Sequence, residues 1–244
     1  MDFKKILSNQ LALDFSVTID ELISDKNIFT MDLLKPGRRI YEWDDALLKV
    51  CSVNNKIIMA SKNEKLLNLL KQEFEYSNGG FIARYDNLIK IDNILKSFGH
   101  KICDCHHYYI PKYSVDIKKD IRIRIFEKDE LNIFKGNPDF INALEFSEIR
   151  PDMLAVCSYD EDEISAMAAA SRDSDTMWQI GINVKEKYRN KGLGAYVVNI
   201  LKEEIIKRGI LPFYGTVESH IGSQKIALNC GFSPAFWQLY STKI

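Results

Sequence analysis

Apolar residues at a spacing of four predict one long helix in the second half of the chain. They share a single helical face and are Leu193, Val197, Leu201 and Ile205. Gly209 marks the end of this pattern, and Pro212 prevents the helix from continuing. We therefore expect an amphipathic helix between about residues 193 and 209.

The rest of the second half has the pattern of a β-rich fold. Residues 121–126 alternate apolar and charged side chains with a period of two, which is typical of a half-buried strand. The remaining expected elements are a helical stretch at 131–146, strands at 154–159, 164–171 and 177–184, a strand at 213–218, a short helix that Ser219 caps and that ends at Gly231, and a strand at 236–240. The predicted order is β-α-β-β-β-α-β-α-β.

The first half has the pattern of a mixed α/β unit. Thr18-x-x-Glu21 and Ser61-x-x-Glu64 have the spacing of capping boxes, so each predicts the start of a helix. The other expected elements are strands at 46–53 and 56–60 around an Asn54-Asn55 turn, a helix at 88–98 and a strand at 103–110. A weakly structured segment, 110–120, separates the halves. We expect an α/β (α+β) fold with a smaller N-terminal subdomain, 1–120, and a second domain, 121–244.

Composition excludes several classes of protein. With 46% hydrophobic and 27% charged residues the chain of 244 is ordinary and globular, and a net charge of -1 gives no nucleic-acid footprint. No apolar run approaches the roughly 18 residues of a membrane span. The first 25 residues carry acids throughout, unlike a secretory signal. Five cysteines, an odd count, favour reduced thiols and a cytoplasmic protein.

The candidate site is the run R-N-K-G-L-G at 189–194, between a predicted strand and the long helix. Two glycines allow a ligand close to the backbone, and the helix start offers unpaired amides and positive potential. Arg189 and Lys191 add charge, so the run suits a pyrophosphate. It lacks the Walker pattern, and Val197 replaces the third glycine of a dinucleotide fingerprint. A glycine turn that only packs helix on strand is the alternative.

These residues resemble the GCN5-related N-acetyltransferase (GNAT) superfamily. Its signature R/Q-x-x-G-x-G/A is matched by Arg189, Gly192 and Gly194, and Gly231-Phe232 resembles the closing G-F of the family. The resemblance covers about 121–244 and is greatest to larger bacterial acetyltransferases with an extra N-terminal α/β half. The first half has no motif of its own, and a degenerate copy of the same fold is one interpretation of it.

The resemblance implies acetyl-CoA as co-substrate. The main chain of Ile182, Asn183 and Val184 would then run beside the pantetheine arm, and an amide near Val184 would polarise the thioester carbonyl. The pyrophosphate would lie on the loop and first helical turn, formed by Arg189, Asn190, Lys191, Gly192, Leu193, Gly194 and Ala195. No metal is implied.

The sequence departs from the family at the position that often supplies the general acid. A tyrosine often stands four residues before the closing glycine, and this chain has Ala227 there. An asparagine often begins the same helix, and the aligned residue is His220. Glu218 is our first candidate for the general base and His220 the second, each also open to an ordinary surface role. Cys103, Cys105 and His107 resemble a ligand cluster, but lack a second pair, so core packing is the expectation.

These observations predict an acetyl-CoA-dependent N-acetyltransferase acting on an amine of a small molecule or protein. Alternatives are a non-catalytic acyl-CoA sensor and a structural protein whose glycine loop only packs. Residues 1–120 exceed what an acetyltransferase core needs, so we expect them to shape the acceptor side or to form a homodimer contact.

Overall fold

The computed structural model describes residues 1–41 and 45–244. Its helices are α1 (Phe3–Asp14), α2 (Ile19–Ile23), α3 (Glu64–Phe74), α4 (Tyr85–Lys96), α5 (Leu193–Lys207) and α6 (Ile221–Asn229). Its strands are β1 (Ile28–Met31), β2 (Leu48–Val53), β3 (Lys56–Ser61), β4 (His100–Pro111), β5 (Ile123–Glu127), β6 (Asp152–Asp160), β7 (Glu163–Arg172), β8 (Met177–Val184), β9 (Leu211–Thr216) and β10 (Phe232–Lys243).

The chain forms two compact units. The N-terminal unit contains Asp2–Tyr108 and Ala235–Ile244, and the C-terminal unit contains Tyr109–Pro234. This division differs from the expected boundary at residue 120, because residues 109–120 pack with the C-terminal unit and the last ten residues with the N-terminal one. The mixed α/β fold class is confirmed.

The N-terminal unit is a mixed sheet with the order β1-β3-β2-β10-β4. Asn54 and Asn55, both at positive φ, form the predicted turn between β2 and β3. The Thr18–Glu21 capping box is confirmed, but the one expected at Ser61 is wrong. Ser61 is the last residue of β3, where its hydroxyl donates to the Leu47 carbonyl, and Asn63 caps α3 instead.

The C-terminal unit contains the strand order β9-β8-β7-β6-β5. Neighbouring strands are antiparallel except β8 and β9, which are parallel. Helix α5 buries its apolar face, including Val197, Leu201 and Ile205, against this sheet. The sequence predicted that helix and its face correctly.

The helix expected over 131–146 is wrong. Two 3₁₀ turns, Lys128–Phe134 and Pro138–Phe140, occupy the segment, separated by Gly136 at φ 81°. The left-handed glycine and the Asn137-Pro138 step interrupt a continuous α-helix. Leu131, Phe134 and Phe140 are nevertheless buried, so the apolar pattern correctly indicated burial but not the type of backbone structure.

Candidate active site

Strands β8 and β9 part at one end of the C-terminal unit. Their parallel pairing runs from Met177 opposite Leu211 to Ile180 opposite Tyr214. Beyond this point β8 continues to Val184 and β9 to Thr216, and the two are no longer paired. The two strands therefore separate here, and β8 is left with an unpaired edge.

The unpaired edge of β8 presents backbone groups to the opening. The amide of Lys185 bonds to the Ser165 carbonyl on the β7 side. Because backbone groups alternate along a strand, the amides of Ile182 and Val184 face the opposite, open side. An extended ligand lying there can pair with them as an added strand would.

The loop after β8 leads into a helix start with free amides. Asn190 and Gly192 have φ values of 61° and 72°, which turn the chain sharply before α5. Gly192 provides no side-chain cap, and Tyr196 is the first residue to bond back to its carbonyl. The amides of Leu193, Gly194 and Ala195 therefore have no acceptor within the helix, and the helix dipole makes the spot favourable for an anion.

Gly194 allows α5 to pack closely against β8 and α6. A Cβ atom there would lie 2.9 Å from Cδ1 of Ile226, 3.2 Å from Cδ1 of Ile182 and 3.4 Å from Cγ2 of Val184. All three neighbours line the opening. The glycine therefore sets how close the helix start comes to the free strand edge.

A cavity of about 610 Å³ joins the free edge to the helix start. Nine of the ten residues predicted to bind the coenzyme line it; the exception is Lys191, whose ammonium lies 5.2 Å from the centre of the Tyr188 ring. Among the described lining residues none is Asp, Glu or Cys, whereas Arg189, Lys225 and His220 are present. The cavity thus favours an anionic ligand. Sequence reasoning missed these lining residues: Asn142, Tyr188, Gly222, Ser223, Lys225, Ile226 and Asn229.

Comparison with known proteins decides the family. The model of the GNAT acetyltransferase family matches residues 42–239. The chain belongs to the GNAT acetyltransferases. The match begins far upstream of residue 121, where the sequence resemblance began, and so takes in most of the N-terminal half. No curated protein sequence matches the chain significantly.

Several solved GNAT structures are similar to this chain at low identity. A GCN5-related N-acetyltransferase-like protein from Streptococcus suis is 13% identical, with 84% of this chain and 87% of that chain covered, at a TM-score of 0.49. A GCN5-related N-acetyltransferase from Kribbella flavida is 16% identical, with 62% of each chain covered, at 0.46. A Bacillus subtilis acetyltransferase in complex with CoA is 20% identical, with 51% and 99% covered, at 0.37.

The two candidate bases of this GNAT protein lie in different surroundings. His220 stands at the start of α6 and lines the cavity. Glu218 is exposed and does not line it, and its backbone carbonyl accepts a bond from Nε2 of Gln224. The reason is that β9 ends at Thr216, two residues before the expected end, so Glu218 lies on the following turn.

The cavity of this GNAT protein contains a serine hydroxyl that is hydrogen-bonded to a buried tyrosine. Ala227, at the position where the family often has tyrosine, is fully buried in the core. Ser223, one turn earlier on α6, lines the cavity, and its Oγ lies 2.7 Å from Oη of Tyr214 on β9. Burial raises the pKa of Tyr214 to about 12, so this hydroxyl keeps its proton at neutral pH. The two residues lie on different elements, β9 and α6, so local sequence patterns could not predict their contact.

A cluster of charges fixes the loop that follows β8. Glu163 accepts bonds from Lys185, Lys187 and Tyr188, and Lys185 also pairs with Asp139 at 2.9 Å. Hydrogen bonds from Lys187 and Tyr188 lower the pKa of Glu163 to about 2. The carboxylate therefore stays charged well below neutral pH and ties β7 to the loop before the glycine turn at Gly192.

Two further features concern metals and membranes. In the part of the chain described, no three His, Cys, Asp or Glu residues are grouped closely enough to hold a metal ion. Neither Cys103 nor Cys105 forms a disulfide bond, and Cys103 is exposed rather than packed in the core as expected. No helix over residues 1–41 and 45–244 is both long and apolar enough to cross a bilayer.

Proposed function

We propose that this protein is an acetyl-CoA-dependent N-acetyltransferase that transfers acetyl to an amine of a small molecule or a protein. One observation carries the proposal. A single cavity in a chain of this family joins the unpaired edge of β8 to the uncapped start of α5. The first feature suits an extended pantetheine arm and the second a pyrophosphate.

The residues present fit the coenzyme. The backbone of Ile182–Val184 offers amides to the arm, and the amides of Leu193, Gly194 and Ala195 offer donors to the phosphates. Gly194 keeps the space between them clear of a side chain. Arg189 and Lys225 supply positive charge, and no carboxylate among the described lining residues opposes the phosphates.

The proposed reaction is direct attack of the amine on the thioester carbonyl. A C–N bond forms, the C–S bond breaks, the nitrogen loses a proton and the sulfur gains one. Backbone amides of β8 near Val184 would stabilise the oxyanion, and holding both substrates in one cavity supplies proximity. His220 is the base candidate that the cavity contains; Glu218 would need a water or a rearrangement to act.

Two matched variants test the base. His220→Ala is expected to lower kcat about 100-fold, which is the range of a lost general base, with little change in affinity for acetyl-CoA. Glu218→Gln is expected to keep near wild-type turnover because its side chain does not line the cavity. Steady-state rates against pH measure both. Wild-type turnover in His220→Ala would contradict the assignment, and a large loss in Glu218→Gln alone would reverse it.

A second candidate function is a sensor that binds an acyl-CoA and turns nothing over. Ala227 favours it, because the position offers no hydroxyl to the leaving sulfur. Incubation with acetyl-CoA and a panel of small amines and peptides separates the two by mass spectrometry. Release of free CoA together with an acetylated amine is expected for the enzyme. Binding without any such product would favour the sensor.

A further inference from the structure

The segment between β4 and β5 is tied to α5 and to the turn after α6. The amides of Lys112 and Tyr113 donate to the Gly231 carbonyl. Nδ2 of Asn199 donates to the Val115 carbonyl at 2.9 Å, and Oη of Tyr196 donates to the Lys119 carbonyl at 3.2 Å. These bonds fix the backbone of Lys119 beside the first turns of α5, whereas the composition of this segment had predicted only a weakly structured connection.

The side chain of Lys119 reaches the phosphate-binding turn. Its Nζ donates to the Lys191 carbonyl at 2.9 Å. The same Nζ and Cε lie 3.4 Å from the point where a Cβ on Gly192 would stand. Gly192 lines the cavity and immediately precedes the free amides of α5. An ammonium has three donors, so two remain after the bond to Lys191.

The charge of Lys119 is not neutralised by a carboxylate of the described residues. Its neighbour Lys118 points elsewhere and pairs with Asp116 at 3.1 Å, and Lys185 and Lys187 pair with Glu163. Lys119 is half-buried against the turn, and among the described residues its ammonium bonds only to a neutral carbonyl. A positive charge held beside the turn that precedes the free amides of α5 is suited to an anion.

We propose that Lys119 binds a phosphate group of the coenzyme and so determines part of the specificity for it. The inference rests on the proposed function, because it assumes that coenzyme A enters this cavity. Lys119 lies outside the R-x-x-G-x-G run, on a segment that only tertiary structure brings to the loop. The phosphate is either in the pyrophosphate or in the 3′-phosphate of the nucleotide, and the experiment distinguishes these two.

Calorimetric titration with CoA and with 3′-dephospho-CoA tests the proposal on three variants. Lys119→Gln keeps a donor but removes the charge, Lys119→Arg keeps the charge, and Lys118→Gln is the matched control on the adjacent residue. We expect Lys119→Gln to weaken binding of CoA about 3- to 10-fold, the range of a partly exposed charge-assisted pair. Lys119→Arg and Lys118→Gln should bind within about twofold of wild type.

Each outcome bears on the proposal. A loss with both ligands supports a contact to the pyrophosphate, and a loss with CoA alone supports a contact to the 3′-phosphate. Wild-type affinity of Lys119→Gln for both ligands would overturn the proposal. So would equal losses in Lys119→Gln and Lys119→Arg, since the role would then be packing of the turn. Failure of the wild-type protein to bind CoA would instead refute the proposed function, and this inference with it.

Discussion

Gly194→Val is expected to weaken binding of acetyl-CoA about 10- to 100-fold. A Cβ at this position already approaches three side-chain tips of the cavity wall at 2.9 to 3.4 Å, and two further methyl groups enlarge the overlap. Overpacking of this kind costs about 1–3 kcal/mol, and about 1.4 kcal/mol corresponds to tenfold in affinity. Relief requires α5 to move away from β8, which separates the phosphate site from the strand edge. Gly194→Ala should give a smaller loss in the same direction.

Gly209→Ala is the matched control for this experiment. It lies just beyond the other end of α5, has φ 79° and has open space around it, so alanine strains the backbone without touching the cavity. Calorimetric titration with acetyl-CoA on all three variants measures the effect. Gly209→Ala should bind as wild type does despite a lower Tm. Affinity within twofold of wild type in Gly194→Val would show that the ligand does not use the space that this glycine keeps clear.

Gly181→Ala is expected to destabilise the fold by about 1–3 kcal/mol. A Cβ there would lie 2.2 Å from the Asn142 carbonyl oxygen and 3.1 Å from Cα of Ala143, so backbone rather than a flexible side chain must move. For a chain of this size the loss corresponds to a fall in Tm of about 2–12 °C. The bond from the Asn142 amide to Oδ1 of Asn183 should break with it.

Gly222→Ala is the control for stability. It has nothing within 4 Å of the added Cβ and an ordinary helical position in α6, so alanine should leave Tm unchanged or raise it slightly. Thermal unfolding followed by circular dichroism measures both variants. An unchanged Tm in Gly181→Ala would contradict the close crossing of residues 142–143 over β8.

The parts of the site that the sequence predicted are those encoded locally. The period of four in α5 and the spacing of Gly192 and Gly194 both depend on neighbours within a few residues, and they placed the glycine turn and the start of α5 correctly. The free edge of β8 also followed, because the family resemblance named Ile182–Val184. A short local run was therefore enough to locate the part of the cavity that we propose for the coenzyme.

The parts that the sequence missed depend on contacts between distant segments. Asn142 reaches the opening because 3₁₀ turns, not a helix, precede it. Lys119 is held near the site by a bond from Tyr196 of α5, and Ser223 bonds to Tyr214 of β9. The predicted end of β9 was two residues too late, and this error placed Glu218 in the site. In the structure Glu218 lies outside the cavity. The strand β10, expected at 236–240, runs from Phe232 to Lys243 and adds its second part to the N-terminal unit. The local period of apolar residues cannot predict contacts between segments that are distant in the sequence.

Thermal unfolding with and without acetyl-CoA tests the central claim most directly, with NAD and ATP as controls for a general nucleotide effect. Ligand at about 100 times its Kd stabilises the folded state by about 2.7 kcal/mol, which is a rise in Tm of about 5–10 °C for a chain of this size. We predict that rise with acetyl-CoA and none with NAD or ATP. An unchanged Tm at millimolar acetyl-CoA, or equal rises with all three ligands, would contradict an acetyl-CoA site between β8 and α5.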